Sequence, residues 1–157
     1  MENENEPIKQ KSLEEHIDGV KREWSSRIKK LNESFSNIKD LRDIMPELYT
    51  QRQIALEYCN TLLNKVSDVN SKYKHQYAEK YKYYRTQSNI MFKSDSAINS
   101  QIESDLREMI YKMNLMNDFI VYIRETIKTI DDMIYAIPNR IRLEELILGI
   151  DNSKLMK

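Results

Sequence analysis

Apolar residues recur through most of the chain at alternating spacings of three and four, the period of one face of a helix. The longest run is Leu106, Met109, Met113, Met116, Ile120, Ile123, Ile127, Ile130, Ile134 and Ile137. It forms an unbroken heptad seam, and no Gly or Pro interrupts it between Asp105 and Ile137. The pattern predicts an axial helix over 101–137, opened by the capping box Ser100-Gln-Ile-Glu103 and closed by Pro138-Asn139. Isoleucine at both a and d fits poorly between two helices and favours assemblies of three or more. Ile110, Leu115, Phe119, Val121, Tyr122, Met133 and Tyr135 widen the apolar surface beyond what one partner helix covers. Two readings follow: a helix buried inside a monomeric bundle, or one whose seam from Met113 to Ile137 joins subunits.

Two further helices carry the same spacing. Ser12-Leu-Glu-Glu15 is a second capping box, and Leu13, Ile17, Val20, Trp24, Ile28 and Leu31 follow it at helical intervals. Between Asn32 and Met45 the pattern blurs, which leaves helix and extended connection both open. Pro46 suits the first turn of a new helix. Ala55, Cys59, Leu62, Val66, Val69 and Tyr73 then continue the alternation as far as Tyr84. That helix, over 46–86, spans about 60 Å at 1.5 Å per residue. The serine- and asparagine-rich stretch 87–100 reads as a loop, residues 1–11 as a disordered tail, and 138–157 as a short amphipathic helix with a polar tail. The expected fold is a single all-α domain: an elongated hairpin of two long antiparallel helices with a shorter N-terminal helix over 12–45, oligomerising through its C-terminal helical region.

Composition fits this picture. The 157 residues include two Gly and three Pro, too little punctuation for a sheet, and 32% of them are charged. Formal net charge is zero, so attraction to a polyanion must come from local clustering. Cys59 is the single cysteine, which excludes an internal disulfide and suits a reducing compartment. The acidic start, Met1 to Pro7, is unlike a secretory or mitochondrial leader, and no stretch reaches a membrane-spanning length. A cytoplasmic protein is expected.

Catalytic groupings are lacking. Gly19 and Gly149 are too far apart to build a phosphate-cradling loop, and His16, His75 and Cys59 are scattered singly, so no metal or other cofactor is expected. The adjacent acids Glu14-Glu15, Asp131-Asp132 and Glu144-Glu145 diverge by about 100° on a helix and cannot face one substrate. An enzyme is not expected.

One stretch is different. Residues 72–85, KYKHQYAEKYKYYR, hold five Lys or Arg, one His, one acid and five tyrosines. On a helix Tyr73, Tyr77, Tyr81 and Tyr84 share a stripe about 80° wide with Lys80 beside them, while Lys74, Lys82 and Arg85 lie about 100° to 180° away. The stripe continues the apolar row, so packing explains most of its tyrosines but neither Tyr83 nor the local positive charge. Cations along a face with aromatic rings among them suit single-stranded nucleic acid: the cations neutralise phosphates, and the rings stack on unpaired bases without reading sequence. The candidate DNA-binding residues are Lys72, Lys74, Lys80, Lys82, Tyr83, Tyr84 and Arg85. A structural coiled-coil, scaffold or virion component with solvated lysines is the alternative.

The segment Tyr77-Ala-Glu-Lys-Tyr-Lys-Tyr-Tyr84, a helix start near Glu103-Ser-Asp105, the ending Ile137-Pro-Asn-Arg140 and the upstream Pro46-Glu-Leu-Tyr49 together resemble the UvsY-type recombination mediators of T-even-like tailed phages. The resemblance covers about Pro46 to Arg140. It implies an all-helical homo-oligomer, a ring of about six or seven copies, that binds single-stranded DNA without sequence preference. It also implies contacts with a RecA-like recombinase and a single-strand-binding protein, with the C-terminal region carrying oligomerisation. The family's basic residues before the Tyr-Tyr pair map onto Lys80. Their neighbouring basic site falls on Ala78, Lys82 stands where the family carries an acid, and Arg85-Thr86 replaces the usual glycine. Binding of this kind is electrostatic at root. Affinity for poly-dT, followed by fluorescence anisotropy, is expected to fall by about 0.7 log unit per log unit of salt for each phosphate neutralised; a flat salt profile contradicts this.

Overall fold

The capping box at the start of the chain forms as the residue types require. Glu15 N–H donates to Ser12 Oγ at 3.2 Å and Ser12 N–H donates to Glu15 Oε2 at 3.0 Å, which satisfies two otherwise orphaned donors. The protein, seen in a computed structural model, is described over residues 12–36, 40–41, 43–86, 92 and 94–147. Those residues form α1 (Leu13–Ser36), α2 (Ile44–Thr86), α3 (Asp95–Asp105) and α4 (Arg107–Ile147), and no strand occurs among them. The expected tail 1–11, the first part of the expected loop 87–100 and the polar end beyond 147 lie outside the described residues.

Of the 12–45 stretch, helix reaches Ser36, and Leu41 is fully buried beyond it. Helix α2 begins at Ile44, with Pro46 in its first turn, where a backbone N–H has no intrahelical acceptor to lose. Three expected boundaries differ. Ser100 does not open the axial helix: Ser94 is the cap, its hydroxyl accepting from Ala97 N–H at 3.2 Å, so α3 starts inside the expected loop and Ser100 sits within it. The axial helix is interrupted at Leu106, whose φ of −99° and ψ of 10° separate α3 from α4. Pro138-Asn139 does not end α4, which runs through Pro138 to Ile147, so no separate C-terminal helix forms over 138–147. Pro138 removes the N–H that would bond Ile134's carbonyl. The helix continues because Ile137 and Ile141 pack into the core and the Arg140 guanidinium donates to Phe35's carbonyl while lying 4.6 Å from that ring's centroid.

Burial divides the molecule into two clusters. The larger joins Ile17, Trp24 and Leu31 of α1, Leu48, Ala55, Cys59 and Leu62 of α2, and Met133 with Phe119, Ile120, Ile123, Ile130 and Ile137 of α4. Across it Tyr58 and Phe119 meet edge to face at 5.8 Å, Arg52 Nε donates to Asp131 Oδ1 at 2.5 Å, and Tyr122 OH donates to Lys21's carbonyl at 3.1 Å. The smaller cluster comprises Ile98, Ile102 and Leu106, with Tyr73, Tyr77, Tyr81, Tyr84 and Phe92 packed against it. The seam is thus shared out: Leu106 belongs to the α3 side, and the isoleucines farther along belong to the main core.

Phe119 has no exposed surface, so Phe119→Ala is expected to lower unfolding free energy by about 3–5 kcal/mol in urea titrations. The solvent-facing Val121→Ala on the same helix should stay within about 0.5 kcal/mol of the parent. Equal effects contradict this core.

Candidate nucleic-acid interface

The last four turns of α2 carry the basic, tyrosine-rich stretch, and α3 decides which of its side chains face water. Tyr73, Tyr77, Tyr81 and Tyr84 turn toward Ile98 and Ile102, as the packing explanation of the stripe requires. Tyr77 OH also donates to Asn99 Oδ1 at 2.8 Å. Tyr84 sits between two rings, 5.3 Å from Tyr83 and 5.3 Å from Phe92 by centroid. Tyr83 is different: it lies off the stripe and is 49% exposed, which leaves a face of its ring open to a base.

The cations fall into two groups. Lys72, Lys74 and Lys82 are exposed, and none of them forms an ion pair among the described residues. Lys82 lies on the side of the helix away from the tyrosine stripe that faces α3, whereas Lys74 stands at that stripe's edge, about 20° from Tyr81. Lys80 and Arg85 are engaged inside the chain. Arg85 donates to Tyr81 OH at 2.7 Å, lies 5.8 Å from that ring's centroid and stands 3.5 Å from Asp95 Oδ1. Lys80 Nζ donates to Asp105 Oδ2 at 2.8 Å, and Tyr84 OH donates to the same oxygen at 2.6 Å. Gln101 Nε2 donates to the other oxygen, Oδ1, at 2.9 Å.

These contacts shift the groups that make them. Lys80's ammonium, followed by Tyr84's hydroxyl, holds the Asp105 carboxyl down to about 2. The same carboxylate raises Lys80 and Tyr84, each chiefly through the hydrogen bond it accepts. Sequence reasoning does not mark Asp105 as a site residue. It lies 25 positions from Lys80, and only the return of the chain through α3 brings the two together.

The seam residues expected to join subunits are placed differently from one another. Met116, Ile120, Ile123, Ile130 and Ile137 are buried in the chain's own core, where α1 and α2 supply the covering helices, so they have no surface left for a second copy. Met113, Ile127 and Ile134 are half-buried. Exposed apolar area on α4 lies elsewhere, at Leu143 (58%), Leu146 (71%) and Ile147 (73%), with Tyr135 (77%) on the same side of the helix. Cys59 is buried, His16 meets Tyr58 OH at 3.5 Å, and His75 pairs with Glu79 at 3.5 Å. Among the described residues no three His, Cys, Asp or Glu side chains gather as metal ligands, and no helix is long and apolar enough to cross a membrane.

No family model, curated protein or solved structure matches the chain.

Because folding depresses the Asp105 carboxyl, its contribution to stability is complete above its ordinary value of 3.8 and is lost as pH falls through about 2. Urea unfolding followed between pH 4 and 2 should therefore show a steeper acid loss for the parent than for Asp105→Asn, and parallel curves contradict the pairing.

Proposed function

We propose that this chain is a recombination mediator: a self-associating helical protein that binds single-stranded DNA without sequence preference and helps a RecA-like recombinase replace a single-strand-binding protein on the strand. The observation that carries the nucleic-acid part is the outer face of α2's end. There Lys72 and Lys82 have no acidic partner among the described residues and Tyr83 is half exposed, while Lys74, also without an acidic partner there, stands at the edge of that face. Cations free of intramolecular pairing release counterions when they meet phosphates, and a ring with one bare face stacks on any base. The recombinase and single-strand-binding partners rest on the resemblance across Pro46 to Arg140.

In this reading α2 and α4 run antiparallel, which the pairings Arg52–Asp131 and Tyr58–Phe119 support. One helix end carries few charges, so several copies are needed to hold a strand through avidity. Self-association then falls to the exposed Leu143, Leu146 and Ile147, since the seam's buried isoleucines are spent within the chain. The structural alternative, a scaffold with no nucleic-acid role, is favoured by the four tyrosines committed to the smaller cluster.

Titration of labelled oligo-dT against heparin competitor separates the two. A mediator binds the strand, and Lys74→Gln with Lys82→Gln weakens that binding about tenfold while reducing the salt slope by about 0.7 for each phosphate no longer neutralised. The molar mass measured by light scattering stays unchanged in that variant and falls to the monomer in Leu143→Ser with Ile147→Ser. Absence of oligo-dT binding, or binding that heparin competes away with no preference for the strand, overturns the proposal.

A further inference from the structure

Three donors from three residues meet around the Asp105 carboxylate: the Lys80 ammonium and the Tyr84 hydroxyl on one oxygen, and the Gln101 amide on the other, at 2.8, 2.6 and 2.9 Å. An ammonium, a phenol and an amide set around two oxygens form a general seat for an oxyanion. The two non-bridging oxygens of a phosphodiester present the same acceptor chemistry. The seat borders solvent, since the Lys80 side chain is 37% exposed and that of Asp105 20%. An open groove of about 310 Å³ reaches it from α4, with Lys72, Gln76, Asp105, Glu108, Met109 and Lys112 among its walls. Lys112 Nζ pairs with Glu108 Oε1 across that wall at 2.6 Å and Asp105 forms part of it, so Lys72 is the lining cation that has no acidic partner among the described residues.

The geometry points to a phosphate site occupied from within: Lys80, Tyr84 and Gln101 form a seat for one backbone phosphate of a strand lying along the Lys72–Lys112 groove, and Asp105 fills it until the strand displaces it. This rests on the nucleic-acid reading above and adds to it a specific seat and an intramolecular competitor. Displacement involves no covalent step. One carboxylate leaves the three donors for water and one phosphate takes its place. The lysines of the outer face bind without such competition, so Asp105 sets the threshold of affinity at this one position.

Two measurements on the full chain test it. The first is zero-length carbodiimide coupling, which joins groups already in contact. It is expected to yield a Lys80–Asp105 amide detectable by mass spectrometry, and saturating oligo-dT should suppress that product at least about fivefold. The second is anisotropy with labelled oligo-dT. Asp105→Asn is expected to bind about three- to tenfold tighter than the parent, with a salt slope steeper by about 0.7, equivalent to one more phosphate neutralised. In the double variant with Lys80→Gln the gain should vanish. Coupling that persists at saturating strand, or a folded Asp105→Asn that binds no tighter, overturns the seat while leaving the outer-face reading intact. If Asp105→Asn does not fold, the coupling experiment on the parent decides alone. Failure of the parent and the variant alike to bind oligo-dT overturns the nucleic-acid reading and the seat together.

Discussion

Helix α4 has more apolar surface than any single neighbour covers, and the structure resolves this by spending two helices of the same chain on it. Trp24 and Leu31 of α1 and Ala55, Cys59 and Leu62 of α2 bury Phe119, Ile123 and Ile130. Ala55 and Cys59 are small, which allows the α2 backbone to come close to the bulky side chains of α4. The large cluster takes in α2 only as far as Leu62, with Val66 half-buried against it. The remaining 20 residues of α2, from 67 to 86, need another cover. The break at Leu106 supplies it by letting α3 lie against the tyrosine stripe, with Leu106 itself joining Ile98 and Ile102. Because α3 is only 11 residues long, it covers one side of α2's end and leaves the lysine-bearing side in water.

That partition determines which residues of the basic stretch can act outward. Four tyrosines that could have been read as a stacking platform are structural, while Tyr83 stays open. Two of the five cations are held by Asp105 and Asp95, and the other three are free of acids among the described residues. A neutral protein thereby keeps a local positive face, which is the arrangement that attracts a polyanion without a strong whole-molecule field. Interior pairing and outward charge serve different ends here. The Lys80–Asp105 contact ties α2 to the end of α3, whereas Lys74 and Lys82 make no such tie.

Much of this was legible in the residues because it is local. The Ser12–Glu15 box, the inward stripe of tyrosines and the apolar seam all follow from spacings of three and four, and each is found in the structure. What sequence reasoning missed is non-local or in phase with the pattern. Leu106 keeps its place in the heptad although the helix breaks there, because a one-residue interruption barely disturbs the period and the side chain stays buried. Ser94 lacks a Glu three residues on, so the better-looking box at Ser100 drew the boundary to itself, although Ser94's hydroxyl alone suffices as a cap. Pro138 is a breaker by local rules and is overridden by tertiary anchors about 100 residues away, at Phe35. For the same reason Asp105 carried no signal: Lys80 and Tyr84, which share its Oδ2, come from the far end of a different helix.

The central claim is that the uncovered side of α2's end is where an unpaired strand lies. Lysine footprinting tests it most directly: the full chain is acetylated with and without saturating oligo-dT, and each lysine's modification is read by mass spectrometry. The account predicts strong protection of Lys74 and Lys82, with Lys29 and Lys30 of α1 modified equally in both states. Protection spread evenly over all lysines, or confined to α1, would contradict it.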